Sequence, residues 1–244
     1  GVWGNDDKDT PQVNILGNFV GSPTTGGWYK IQPSKSIVDA FTIEERPAGS
    51  DSRFDKRMYT NFFFKYSDYN DPRPDETWYG EMEISMDDLW EGTAGKRTGN
   101  EPNYSSINGV PGRFIIKKFT AFWSGNGDSM YHSEKHTNNI RVFRFAEALL
   151  LHAEAPFRLG DLAAAPTGLT RIRMRAGLAK KTWNSADELM KENEHQRLLK
   201  FWREGHRFYD LKRWYNTAEI KSIFLERVKR GANNFQEKHL YYPI

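Results

Sequence analysis

The sequence has no cysteine among its 244 residues. That excludes disulfides, a thiolate metal site and a cysteine nucleophile. No apolar run approaches the roughly 20 residues that a membrane-spanning helix needs. A dominant charge is missing too: 35 Lys and Arg against 32 Asp and Glu leave a net +3. So small a surplus gives no electrostatic case for nucleic acid. There is no G-x-S-x-G elbow, P-loop or Rossmann glycine pattern. The N-terminal GVWGNDDKDT has neither the basic start nor the apolar core of a signal peptide. The expectation is that the chain either is not exported or is an internal piece of a longer one. What the sequence has in quantity is rings: 14% of its residues are aromatic, 8 of them Trp and 11 Tyr. Amphipathic rings in a chain of modest hydrophobicity point to binding surfaces.

Residues 1–136 show little periodicity. Turn formers recur at Gly26-Gly27, Asn70-Asp71-Pro72, Asn108-Gly109 and Gly125-Asn126-Gly127. Strand candidates lie between them at Met58–Tyr66 and Arg113–Phe119, and Ser36–Phe41 reads as one helical turn. We read 1–136 as a loop-rich, candidate ligand-binding segment and 137–244 as a helical region. The two are expected to fold as one unit.

In the second region Thr137 or Asn138 can cap a helix from Asn139, with Ile140, Phe143, Ala146, Leu150 and Ala153 as its stripe. Gly160 ends it or its extension, and Asp161 caps a second run that stops at Gly177. Pro156 and Pro166 predict an early end near Ala155 and a late start after Pro166. Ser185 and Glu188 form a capping box for a third helix. A fourth follows Gly205, Thr217–Lys229 forms another, and Phe235–Ile244 reads as extended chain. Phe201, Trp202, Phe208, Leu211 and Tyr215 fall at helical spacing on one side of LLKFWREGHRFYDLKRWY.

The strongest binding-loop candidate is Lys65–Gly80, KYSDYNDPRPDETWYG. Its Tyr69, Trp78 and Tyr79 offer flat faces for a sugar ring, and Arg73 offers hydrogen bonds to hydroxyls. Trp28, after the flexible run Ser22–Gly27, is a further candidate. The alternative is that these rings tuck onto the core, and both readings stand at this stage. An EF-hand is rejected for Asp68–Arg73, because Pro72 sits at a ligand position and Arg73 where the loop glycine belongs. His206 and Asp210 with Glu204 resemble metal-ligand spacing, but Arg203, Arg207 and Arg213 favour salt-bridged acids. No metal, cofactor or catalytic residue is assigned. Glu147 and Glu154 are two turns apart on one helix and paired carboxylates can hydrolyse glycosides, but nothing else in that helix marks a cleft.

Several of these stretches carry a family pattern. Glu204-Gly205-His206-Arg207-Phe208-Tyr209-Asp210-Leu211-Lys212-Arg213-Trp214 resembles the EGHRxxDLxRW signature of the SusD/RagB family. Arg144–Leu150 with His152-Ala153-Glu154-Ala155 resembles its RYAEVLLxxAEA helix, and Ile172–Leu178 its IRxRAGL segment. Weaker likenesses are Pro33–Phe41 followed by Asp51-Ser52-Arg53-Phe54, the Lys118-Phe119 pair, and Pro243-Ile244. The chain departs from the pattern at Gln196, Lys200 and Phe201, which remove two carboxylates from the family's ERRxEL, and at Thr170, where Asn is common.

The resemblance implies a mainly α, SusD-like fold of tetratricopeptide-type helical hairpins, with a long loop-rich segment and a few short β-strands. This chain would be the C-terminal portion. It implies non-catalytic glycan binding at the bacterial cell surface beside a SusC-like TonB-dependent transporter. Membrane contact would come only through a lipid anchor outside this sequence. Two other classes stay open from the residues alone: a glycoside hydrolase acting through loop carboxylates, and a helical scaffold that binds protein.

Overall fold

The structure, a computed structural model, describes residues 16–29, 31–80, 83–91, 113–124, 141–159 and 166–229. The expected Thr137/Asn138 cap, the Gly160–Asp161 junction, the turns at 108–109 and 125–127 and the extended end Phe235–Ile244 lie outside the described residues. The chain divides into two compact units, Gly1–Arg144 with Ala176–Ala179, and Phe145–Arg175 with Lys180–Ile244.

The first unit is short elements joined by irregular chain. Helices α1 (Leu16–Val20), α2 (Lys35–Thr42), α3 (Lys56–Asn61) and α4 (Met86–Glu91) flank a sheet of β1 (Phe62–Phe63) and β2 (Ile115–Ile116). The strands are antiparallel, with Phe62 opposite Ile116 and Phe63 opposite Ile115. This corrects the strand expected over Met58–Tyr66. Its first part is helix α3, because the Asp55 side chain accepts from Arg57 N at 2.8 Å and caps the turn. Only two phenylalanines remain extended. The turn at Ser36–Phe41 is also longer than expected, reaching two turns in α2. Ile37, Val38 and Phe41 fall on its one buried side.

Side-chain hydroxyls do work here that a larger sheet would do elsewhere. Tyr29 donates to Leu89 O at 2.7 Å, Thr24 to Asp88 O at 2.5 Å, and Ser22 to Leu89 O. Those carbonyls lie in the last turn of α4, where no helical N–H is left to meet them.

The second unit is a helical stack. Helices α5 (Phe145–Arg158), α6 (Pro166–Arg175) and α7 (Ala186–Lys200) pack on one another. Their core is Leu150, Ala153, Leu169, Ile172, Leu189 and Phe201. Gly168 lets α6 approach α5: a Cβ there would sit 2.5 Å from Leu149 O. Helices α8 (His206–Trp214) and α9 (Thr217–Lys229) follow, sharing Leu211 and Ile220. No helix among the described residues is long and apolar enough to cross a membrane.

Three boundaries differ from the sequence reading. Helix α5 starts at Phe145, and exposed Phe143 precedes it. It runs through Pro156 to Arg158, because a proline in the last turn forfeits a single hydrogen bond while Leu150 and Ala153 are already buried. Pro166 begins α6 instead of delaying it. At the first helical position its missing N–H costs nothing. The Ser185 cap forms as expected, with Glu188 N donating to Ser185 Oγ at 3.2 Å. Glu188 itself reaches one residue further back, accepting from Asn184 N at 2.9 Å.

Candidate functional site

The loop Lys65–Gly80 is built around Asp71. Its carboxylate accepts from Arg53 N at 2.9 Å, from Arg73 N at 3.1 Å and from the Tyr59 hydroxyl. Arg53 fastens the same turn from the other side, donating to Tyr69 O at 2.7 Å. Protein donors therefore occupy both oxygens of the carboxylate in the D-x-N-like run. Downstream, Asp75 accepts from Ser67 N at 3.0 Å and Ser67 Oγ at 2.6 Å, closing the loop on itself.

Arg73 lies between two rings, its guanidinium carbon 4.2 Å from the centroids of both Tyr59 and Tyr66. Asp71 is 3.7 Å from its Nε and Glu76 3.5 Å from its Nη1. Its Nε and Nη2 are buried and make no hydrogen bond. The Tyr66 hydroxyl donates to Glu76 Oε2 at 2.7 Å. Burial first, and that bond second, push the Tyr66 phenol well above its ordinary range.

The sequence offered Trp78, Tyr79, Tyr69, Trp28 and Arg73 as ligand contacts, and the structure places them differently from one another. Trp78 and Tyr79 are core residues, packed with Phe63, Ile84, Leu89 and Ile115. Phe63 sits edge-on to Trp78 at 5.0 Å. Tyr69 is buried against Phe54, Phe64 and Phe114. Their faces are taken by neighbouring rings, so of the two readings of this loop the core-packed one describes these three. Arg73 is half-buried beneath the loop. Trp28 alone keeps an open face, 49% exposed with Phe19 at its edge.

A second open ring lies elsewhere. Trp123 is 48% exposed, and its Nε1 donates to Lys117 O at 3.0 Å. That bond fixes the indole beside a lysine that sequence reasoning passed over. Lys117 follows the buried pair Ile115-Ile116 and is only 7% exposed. Its Nζ lies 4.2 Å from the ring centre of Phe122, 5.3 Å from Phe63, 5.4 Å from Trp123 and 6.0 Å from Trp78. No carboxylate of the described residues stands within ion-pair distance of it. Burial lowers its pKa to about 8, against a partial pull upward from Glu76. Trp78 contributes a third unspent donor, a buried Nε1 with no hydrogen-bond partner. The signal for Lys117 in RFIIKKF is strand alternation, which puts it on the same face as the buried Ile115.

Two aromatics flanking these groups hold left-handed backbone, Tyr79 at φ 67 and Phe119 at φ 68. Such conformations cost on the order of 1–3 kcal/mol each and persist where surrounding packing demands them.

The carboxylates of the helical unit are committed elsewhere. Glu147 faces His206 Nδ1 at 3.4 Å. Glu154 pairs with Arg213 at 2.5 Å and Arg158 at 3.1 Å. Asp210 takes Arg197 through both oxygens, at 2.8 and 2.9 Å, and also Arg213 at 2.9 Å. The EGHRFYDLKRW stretch is thus a fastening for the helical stack. Gln196, one of the departures from the family pattern, donates to Glu192 at 2.9 Å and so joins a separate buried network, that of Glu192 with Arg173 and Lys181, as a neutral member.

The comparisons show the family to which the chain belongs. The model for the SusD family matches residues 3–242. The chain belongs to that family. Among solved structures it is similar to a SusD superfamily protein from Bacteroides vulgatus, with 23% identity, a TM-score of 0.64, and coverage of 94% of this chain and 44% of that one. It is also similar to a SusD-like protein from Bacteroides fragilis, with 19% identity, a TM-score of 0.55, and coverage of 88% of this chain and 42% of that one. The chain therefore spans less than half the length of these solved relatives. No curated protein matches it.

Proposed function

We propose that this protein captures glycan at the bacterial cell surface without chemistry and passes it to a SusC-like TonB-dependent transporter. The observation that carries the reading is the half-exposed Trp123, held by its bond to Lys117 O beside the Lys117 ammonium, with the unpartnered Trp78 N–H close to the same ammonium. A sugar can stack on such an indole and satisfy the donors with its oxygens. Membership of the SusD family supports the same assignment, as it does the outer-membrane location and a lipid anchor outside this sequence. Trp28 offers a second, separate stacking face. Arg73, Tyr69, Trp78 and Tyr79 shape the ground under the loop.

Hydrolysis would need two carboxylates flanking a bond, roughly 5–5.5 or 6.5–9.5 Å apart. The helical candidates Glu147 and Glu154 each hold a basic partner instead. The test is an affinity-gel screen of the full chain against a panel of polysaccharides, with chromatography of the products. Retardation by at least one polysaccharide, without release of shorter sugars, is the expected result. Release of oligosaccharides would overturn the reading in favour of a hydrolase. Retardation by none would move it to a protein-binding scaffold.

A further inference from the structure

The groups around Trp123 are unequal in kind. Two of them are donors: the Lys117 ammonium, which has no ion pair among the described residues, and the buried Trp78 indole N–H, which lacks a hydrogen-bond partner and whose ring centre lies 6.0 Å from that ammonium. The nearby acceptors are spent. Glu76 receives the Tyr66 hydroxyl and lies 3.5 Å from Arg73, and Asp71 receives three protein donors. Arg73 also has two carboxylates beside it, so its charge is answered. Among the described residues Lys117 Nζ has four rings around it and no carboxylate at ion-pair distance.

A buried cation with no carboxylate at ion-pair distance among the described residues is held at a cost, which the longer-range pull of Glu76 and the cation–π contacts offset only in part. An uncharged sugar hydroxyl could accept one hydrogen bond here but would leave the charge unanswered. A carboxylate or sulfate supplies both the charge and several acceptor oxygens, and charge-assisted bonds in a water-poor site are the strong ones.

We infer that the ligand is an anionic saccharide, with its sugar face on the exposed Trp123 indole and its acidic group directed to Lys117 and the Trp78 N–H. The inference rests on the glycan-capture reading and narrows its substrate class.

The experiment is calorimetric titration of the full chain with polygalacturonate, with the same polymer fully methyl-esterified, with dextran sulfate and with uncharged dextran. Wild type, Lys117→Met, Lys117→Arg and Trp123→Ala are compared, each checked for an unchanged circular dichroism spectrum. Preference by about tenfold or more for polygalacturonate over its ester, or for dextran sulfate over dextran, is expected. Whichever arm shows it tells carboxylate from sulfate. Lys117→Met should abolish the preference, and Lys117→Arg should retain most of it. Equal affinity for the acidic and neutral forms, or a preference untouched by Lys117→Met, overturns the anionic assignment and leaves glycan capture standing. Binding of none of the four polymers, when a neutral glycan from the wider panel does bind, overturns it as well. A chain that binds no saccharide of any kind fails the capture reading itself.

Discussion

Arg173 Nη1 stands 2.6 Å from Glu192 Oε1, and both side chains are buried in the helical unit. Lys181 reaches the other oxygen of Glu192 at 3.0 Å and Gln196 shares the first at 2.9 Å. Removing one member leaves a buried charge with fewer partners, which costs up to about 3–5 kcal/mol. Glu192→Gln and Arg173→Met are both expected to lower the denaturant midpoint by a corresponding amount. The slope against denaturant should be unchanged. The double variant should lose less than the sum of the two.

The same carboxylate sets an acid limit. Burial works against its charged form, but the Gln196 hydrogen bond, the Arg173 charge and the Lys181 and Arg173 hydrogen bonds outweigh it and hold the pKa below the ordinary 4.5. A depressed carboxylate contributes stability that is present above its unfolded pKa and lost as pH falls through the folded value. Wild type should therefore lose thermal stability below about pH 4.5 more steeply than Glu192→Gln, with the two curves converging in acid. Parallel curves would show that Glu192 is not held charged.

Lys117 acts in the opposite direction. Its folded pKa of about 8 lies below the ordinary 10.5. Between those values the unfolded chain holds the extra proton, so stability rises with pH through the window. Below pH 8 the whole penalty is present, up to about 3 kcal/mol before cation–π contacts offset part of it. Lys117→Met is expected to melt higher than wild type at pH 7. The gap should close between pH 8 and 10.5.

Gly168 separates packing from propensity. Alanine is the better helix former by about 1 kcal/mol. Its Cβ would meet Leu149 O at 2.5 Å, and a backbone carbonyl cannot move aside cheaply. Gly168→Ala should destabilise by about 1–3 kcal/mol despite the gain in propensity. Urea denaturation reads this directly, and a stabilised variant would mean that α5 and α6 are not in close contact.

The helical unit was legible from the sequence because its signals are local. Ser185 three residues before Glu188, Gly205 before HRFYDLKRW and the Thr217–Lys229 run each specify a boundary within one or two turns of chain. The family pattern was legible for the same reason, since its motifs are contiguous. The misread boundaries involve competition with burial: Pro156 is tolerated because Leu150 and Ala153 already fix the helix, and the aromatic run after Met58 yields to the Asp55 cap. The site was less legible. Whether Trp78 or Trp123 keeps an open face depends on which rings approach from distant segments, and local composition carries no record of that. Lys117 comes under the electrostatic pull of Glu76 through the pairing of β1 with β2 and the return of the Lys65–Gly80 loop.

That placement gives the account its most direct test. The glycan that most retards the full chain should be titrated calorimetrically into wild type, Trp123→Ala and Trp28→Ala, with melting temperatures and sugar products followed in the same samples. The account predicts a loss of about tenfold or more in affinity for Trp123→Ala, since one stacked ring is worth on the order of 1–3 kcal/mol in comparable contacts. It predicts a cooperative melting transition retained in Trp123→Ala and no product. Undiminished affinity in Trp123→Ala, or the appearance of cleaved sugar with wild type, would contradict it.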